Sequence, residues 1–326
     1  MLYLTNPSTD PHFNMAFDEF CLERLQADEP VFYLWQNRPS VIIGLNQSAY
    51  AEANLPFLES RGILLARRVT GGGAVYHDLQ NLNYTITGRI RDLEKDAPAY
   101  AETMVRALRR LGVPAELSGR NDILVDGRKC SGYAKRMSRD RLMIHGTLMY
   151  DVDIDTLTEA LAAPGSKLST AGIASVRSRV ANLKDRLPEF PDIQAFRKAL
   201  QDLLSAGDGE ITLSPDQLAS IEADAAAKFR TWEWIYGHSP ASDFKSSRKY
   251  ACGTVEARFS LRGGRIDGLR FGGDFLGNYP ANRIETALQG CRFTRTDLAA
   301  ALRAEPVSDC FDGLSAEDLV SQLLEN

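Results

Sequence analysis

Two stretches of this 326-residue chain carry side chains that could act on an anion. The first, Arg67 to Asp78 (RRVTGGGAVYHD), has two arginines, three consecutive glycines, a short apolar step and a His-Asp end. Glycines lack Cβ atoms, so a run of three lets the backbone take positive φ and turn successive N–H groups towards a ligand. The second, Ser118 to Ala134 (SGRNDILVDGRKCSGYA), sets Lys129 close to Asn121, Asp122 and Asp126, so that a cation and carboxylates can converge at one mouth. A glycine loop, Arg68 and a lysine suit electrostatic stabilisation of a phosphate-bearing intermediate. Covalent catalysis has no signature here, because GxSxG is absent; so are GxxxxGK[ST] and GxGxxG. Pro164 to Val180, with Lys167, Arg177 and Arg179, reads as an exposed loop and equally fits a lid over a phosphate-containing ligand.

The elements that must position these groups are legible in the patterning. Gly62 to Ala66 reads as a buried strand feeding the arginines, Ala74 to Tyr76 as the strand after the glycine turn, and ILV-DG-RKCSGYA as a hairpin. Arg141 to Tyr150 reads as a strand with His145-Gly146-Thr147 in its middle, where a glycine marks close approach by a ligand or backbone. Asp10 and Pro11 cap a helix over His12 to Leu25, with Phe13, Ala16, Phe17, Phe20 and Cys21 on its core face and Asn14, Asp18 and Glu19 on a solvated side. Val31 to Trp35 and Ser40 to Gly44 read as strands joined at NRP in a hairpin or sharp connection, and Ala99 to Leu111 as a helix. Thr231 to Trp234 buries aromatics at the base of the large domain. The polar break at Ser242 to Ser247 divides the chain into residues 1–244 and 245–326. In the second part Val255, Ala257, Phe259 and Leu261 alternate, Gly263 and Gly264 turn the chain, and helices at Pro280 to Leu288 and Ser315 to Leu324 cover a small antiparallel sheet.

Composition narrows the class. Hydrophobic content of 44% with 25% charge describes a globular chain, and no apolar run is long enough to span a bilayer. Five scattered cysteines without CxxC, and an N-terminus without an export signal, indicate the cytoplasm. Four separated histidines without HExxH disfavour a transition-metal centre, and a net charge of −5 disfavours nucleic acid.

RRVTGGGAVYHD, NLNYT, GRNDILVDGRKCSGYA, HGTL and SVRSRVANL, in this order, resemble lipoate protein ligases of the long, two-domain kind. The resemblance covers essentially the whole chain. It implies an α+β fold: a biotin/lipoate-ligase-like catalytic domain with a mixed β-sheet and flanking helices, followed by a small α+β accessory domain. It implies that lipoate and MgATP give lipoyl-AMP, whose acyl group passes to a lysine of lipoyl domains in 2-oxoacid dehydrogenase complexes and the glycine cleavage H protein. By that resemblance Arg68 and Gly73, Ala74, Val75 and Tyr76 line the lipoate and nucleotide site, with Gly71 and Gly72 allowing close approach. Lys129 is the essential lysine, Asn121 and Asp122 hold the ATP end with Asp122 contacting Mg²⁺, His145, Gly146 and Thr147 form pocket wall, and Ser166 to Arg179 closes over the adenylate. Trp35, Val41, Val75 and Tyr76 are candidates for the acyl slot, and His77 and Asp78 read as structural hydrogen bonders. A monomer is expected. Leu45 and Gln80 depart from the family pattern, where some relatives carry a basic residue and a glycine. The rival enzyme is an ATP-independent octanoyl or lipoyl transferase, which needs a cysteine nucleophile; the rival of another class is a non-catalytic lipoate or adenylate binder.

Overall fold

The computed structural model describes residues 1–119, 121–162, 178–205 and 209–325. Most of the cationic segment 164–180 lies outside these residues. Among the described residues fourteen strands follow one another as β1 (Leu2–Leu4), β2 (Val31–Trp35), β3 (Ser40–Ile43), β4 (Leu64–Arg67), β5 (Val75–His77), β6 (Asn81–Arg89), β7 (Ala115–Ser118), β8 (Asp122–Val125), β9 (Arg128–Ser138), β10 (Arg141–Met149), β11 (Glu210–Ile211), β12 (Ser242–Tyr250), β13 (Gly253–Arg262) and β14 (Arg265–Gly273). They form an eight-stranded sheet β11-β1-β2-β6-β10-β9-β8-β7 and two three-stranded sheets, β4-β3-β5 and β12-β13-β14. The large sheet is mixed, because β1 runs parallel to β2 and β11 while β2, β6, β10 and β9 are antiparallel. This is an α+β fold with flanking helices, as expected.

The chain forms two compact units. The first holds Met1–Leu45, Gly62–Leu161 and the described residues from 178 to Thr231; the second holds Asn46–Arg61 and the chain from Trp232. In the first unit the central strands are buried on both faces, with opposite polarity. Leu82, Tyr84 and Ile86 of β6 join Phe32, Leu34, Leu142 and Ile144 in a core that also takes Tyr100, Met104, Leu108, Phe196 and Leu200 from the helices Leu93–Arg110 and Ile193–Ser205. The alternate residues Asn81, Asn83, Thr85 and Thr87 are equally buried but polar. Side chains alternate along a strand, so the opposite face of β6 is a buried polar surface. Helix α1 (Pro11–Glu23) packs against β6, β9 and β10 of the large sheet and β4 of the small one. Its start is fixed by Asp10, which accepts from the backbone N–H of His12 and Phe13, with Pro11 in the first turn.

Several expectations change. Val31–Trp35 and Ser40–Ile43 do not pair as a hairpin, because they enter different sheets. Gly146 is required by its cross-strand partner rather than by a ligand: a Cβ there would lie 2.6 Å from the Tyr84 ring. Asn14 and Asp18 are not solvated; each is 1% exposed. The tryptophans of TWEW fall in the second unit, where Trp232 is half-buried and stacks on Tyr236 with Arg265 and Arg292 over its ring.

In that unit Val255, Ala257, Phe259 and Leu261 do form the inner face of β13, packed on Leu288, Leu298, Leu302 and Leu319. Four helical segments rather than two accompany the sheet: Asn282–Leu288, Arg295–Leu302, Val307–Cys310 and Ala316–Leu324. No described helix is long and apolar enough to cross a membrane.

Candidate active site

The glycine loop between β4 and β5 is held from below by its own arginines. Arg68 is 7% exposed and donates through Nη1 to Ile42 O (3.0 Å), through Nη2 to Gly71 O and Gly73 O (2.8 Å each) and through Nε to Thr70 Oγ1 (3.0 Å). Arg67 is fully buried and its Nη1 donates to Gly44 O and Leu45 O, both at 3.0 Å. Burial lowers both guanidinium groups to about 10, so each keeps its charge at neutral pH. The result is a preformed loop with fixed positive charge beneath it, suited to an anion. Two glycines make the fit possible: Gly72 takes φ +95°, and a Cβ on Gly44 would meet Gly72 O at 2.2 Å.

The β8–β9 hairpin supplies the lysine. Asp126 (φ 52°) and Gly127 (φ 72°) form its two-residue turn, the pattern that matches strand twist. Lys129 pairs with Asp122 at 2.7 Å, both about 40% exposed, whereas Asp126 turns away to Arg186 at 2.5 Å. A register shift between Ile123 and Leu124 accommodates Cys130, which is fully buried and donates to Ile123 O. Desolvation pushes this thiol up to about 12, so it is inert. Lys129 O accepts from Ala181 N–H at 2.9 Å, which pins the lysine's backbone to the chain beyond residue 177. Gly132 leaves room for the ammonium: a Cβ there would lie 3.1 Å from both Cε and Nζ of Lys129.

Loop and hairpin face each other across a cavity of about 120 Å³. Its wall includes Arg68, Gly72, Gly73, Ala74, Val75, Asn121, Lys129, His145, Gly146 and Thr147, together with Met15, Trp35, Ile42, His77, Asn83, Gly132, Tyr133 and Ala134. Gly71, Tyr76, Asp122 and Val41 do not line it. Among the described residues no three His, Cys, Asp or Glu side chains converge as a metal cage.

Helix α1 orients both cavity histidines. Asp18 accepts from His145 Nδ1 (2.6 Å), Tyr33 Oη (2.6 Å) and Thr85 Oγ1 (3.0 Å), and His145 Nε2 meets Thr70 Oγ1 at 2.7 Å. Thr70 in turn accepts from Arg68, so the network runs unbroken from α1 to the glycine loop. One helical turn earlier, Asn14 donates to Asn37 Oδ1 (2.8 Å), and Asn37 Nδ2 contacts His77 Nδ1 (3.0 Å). Burial, with Arg68 and His145 nearby, drops His77 to about 3, so its ring is neutral. Asp78 is a turn former, accepting from Gln80 and Asp153 N–H groups. Asn14, Asp18, Asn37, Thr70, Asn83, Thr85 and Gly132 were not picked out as site residues from sequence; for Asn83 and Thr85 the signal is the strict alternation in NLNYT, polar at every second position of a strand otherwise apolar, and the others carry none.

Residues 10–205 match the lipoyl protein ligase A/B catalytic domain, and residues 239–323 match the bacterial lipoate protein ligase C-terminus. Lipoate-protein ligase LplJ of Bacillus subtilis is 36% identical over 98% of this chain and 99% of its own length. Among solved structures, the bipartite lipoate protein ligase of Thermoplasma acidophilum, described with its E2 lipoyl domain, is 30% identical with a TM-score of 0.66, covering 73% of this chain and 97% of that one. Lipoate-protein ligase A bound with ATP is also 30% identical, with a TM-score of 0.61 over 73% of this chain and 98% of its own. Likeness of this extent, running through both units, makes the chain a member of the lipoate-protein ligase family, and so an enzyme.

Proposed function

We propose that this ligase activates lipoate with ATP at the cavity between the glycine loop and Lys129, and then transfers the lipoyl group to a lysine of a lipoyl domain. The observation that carries the reading is the placement of Lys129, on the wall opposite a loop backed by two buried arginines. In the first step a lipoate carboxylate oxygen attacks the α-phosphorus of ATP, the bond from that phosphorus to the α,β-bridging oxygen breaks, and pyrophosphate leaves. The Lys129 ammonium lies between the two anions, lowering their repulsion and stabilising charge as it builds. In the second step the ε-amine of the acceptor lysine, having lost a proton, attacks the acyl carbonyl and AMP leaves. Arg68, with its guanidinium spent on loop carbonyls, holds the glycine loop in the shape that receives the nucleotide, and Asn121 lines the same mouth.

Mg²⁺ bound through ATP phosphates requires one or two protein carboxylates rather than a cage, and Asp122 beside Lys129 fits that need. It would neutralise phosphate charge there. The acceptors we infer are lipoyl domains of 2-oxoacid dehydrogenase complexes and the glycine cleavage H protein, served by a monomer. From sequence we take the catalytic part as residues 1–244 and the accessory part as 245–326; the compact units divide instead between Thr231 and Trp232, with Asn46–Arg61 in the second. Five free thiols support a cytoplasmic setting. The transferase reading is disfavoured by Cys130, buried and inert in the core.

The test is lipoate-dependent exchange of labelled pyrophosphate into ATP by the purified chain. Exchange supports the ligase reading; absence of exchange with ligand binding intact would leave a binder. ATP-independent acyl transfer that Cys130→Ser abolishes would favour the transferase.

A further inference from the structure

The cavity has two ends, separated by strand register. Asn83 on β6 pairs directly with Thr147 on β10, and the Thr147 hydroxyl accepts from Gly132 N–H on β9 at 3.3 Å. Two strand spacings, about 10 Å, therefore separate Asn83 from Gly132, and Lys129 lies over Gly132. A carboxylate held at Lys129 sends a medium-length acyl chain along this face to Asn83, Trp35 and His77; Trp35 is the register partner of Asn83 and its ring centroid lies 6.2 Å from that of His77.

That far end is apolar in Met15, Trp35, Ile42 and Val75, yet it carries two buried polar atoms with no partner among the described residues, Nε2 of His77 and Nδ2 of Asn83. The two side chains belong to residues 3% and 1% exposed. Both atoms are donors. Asn14 Nδ2 faces the carbonyls of Ser8 and Gln36, so it must also donate to Asn37 Oδ1; this leaves Asn37 Nδ2 to donate to His77 Nδ1, and the ring's single proton sits on Nε2. Asn83 Oδ1 accepts from Asn81 Nδ2 at 2.9 Å, which leaves its own Nδ2 as an unmet donor on a residue that lines the cavity. Both donors are already buried from water, so a plain alkyl tail leaves them unmet, whereas a ligand atom that can accept would recover part of that cost.

We propose that His77 Nε2 and Asn83 Nδ2 form a donor pair that recognises the two ring sulfurs at the far end of the acyl chain, selecting a dithiolane over an alkyl or carbocyclic end. The inference rests on the lipoate reading above. Disulfide sulfurs are weak acceptors but polarisable, so the pair discriminates by leaving fewer unmet donors with lipoate than with a hydrocarbon of the same shape.

The experiment compares lipoate with its carbocyclic copy, cyclopentylpentanoate, in which both sulfurs are methylenes, in pyrophosphate exchange catalysed by the full chain. For the unaltered protein kcat/KM should favour lipoate by about tenfold. Asn83→Leu should shrink that ratio severalfold, chiefly by improving use of the copy, while His77→Gln, which retains an amide donor, should preserve most of it. Equal use of the two acids by the unaltered protein overturns the proposal without needing a variant, and so does an undiminished ratio in folded Asn83→Leu. Exchange with neither acid would instead sink the lipoate reading on which the proposal rests.

Discussion

The two ends of the cavity are built on opposite plans. At one end Lys129 and Asp122 form a half-exposed ion pair on a hairpin, with no second layer among the described residues locking the ammonium in place. At the other, His77 and His145 are each fixed by a chain of buried hydrogen bonds leading back to helix α1. A lysine that must follow charge from a carboxylate to a phosphate gains from a hydrated, rotatable stem, whereas recognition of a ligand's shape needs groups that do not move. The contrast implies that perturbing the first end removes chemistry with little effect on stability, and that perturbing the second end loses stability and fit together.

The largest effect is expected at Lys129. Lys129→Ala should lower lipoate-dependent pyrophosphate exchange by about a thousandfold, because it removes a cation placed between two anions. Its unfolding midpoint should stay close to that of the unaltered protein, since an exposed pair is worth about 1 kcal/mol or less. An active Lys129→Ala enzyme would refute the assigned role, and a poorly folded one would break the contrast. Asp18→Ala comes next and should behave the other way. It strands three buried donors, on His145, Tyr33 and Thr85, so urea unfolding should reveal a loss of about 3 kcal/mol. Activity should fall through poorer substrate binding as His145 and Thr70 lose their orientation.

Much of the first end was legible in the sequence and little of the second. The glycine loop, the DG turn and Lys129 announce themselves because their chemistry is local: positive φ at Asp126 and Gly127 and a cation next to carboxylates lie within a few residues. The alternation in β13 likewise announced the second unit's sheet. The buried network was not legible, because Asn14, Asp18, Asn37, Thr85 and His145 come from four separate elements and meet only after the sheets pack on α1. On a helical wheel Asn14 and Asp18 form a polar stripe, the usual mark of a solvated face. Only the second, equally buried polar surface on β6 turns that stripe inward. Gly146 misled for a related reason, as its cross-strand partner Tyr84, and not a ligand, occupies the space.

The histidine end should also be readable by pH. Burial lowers His77 from the usual 6.5 to about 3, and burial lowers His12 too. A depressed pKa means that the unfolded chain takes up a proton that the folded chain refuses. Stability is therefore complete above pH 6.5 and falls as pH drops, for His77 down to about 3, by at most about 1.4 kcal/mol per pH unit for each such group. Urea midpoints measured from pH 7 down to pH 4 should fall along this line, and His77→Gln should flatten it by the share of one proton. An unchanged slope would mean that His77 is already protonated in the folded protein and cannot be the neutral donor at the cavity end.

The smallest effect tests the first end most sharply. Gly132 has no positive φ, so the backbone tolerates alanine there, and the added methyl would lie 3.1 Å from Lys129 Cε and Nζ and 3.7 Å from Asp122 Oδ1. The lysine is the far end of a flexible chain and moves aside by a few tenths of an ångström. Replacing glycine by alanine also reduces the freedom of the unfolded chain, which stabilises by about 0.4–1 kcal/mol where the native backbone allows it. Gly132→Ala should thus be slightly more stable and about threefold to tenfold slower in adenylate formation, because small displacements of a positioned group are expensive in rate. A variant that is both more stable and fully active would show that Lys129 works from many positions, and the half-exposed end of the cavity would then owe its chemistry to charge alone rather than to placement.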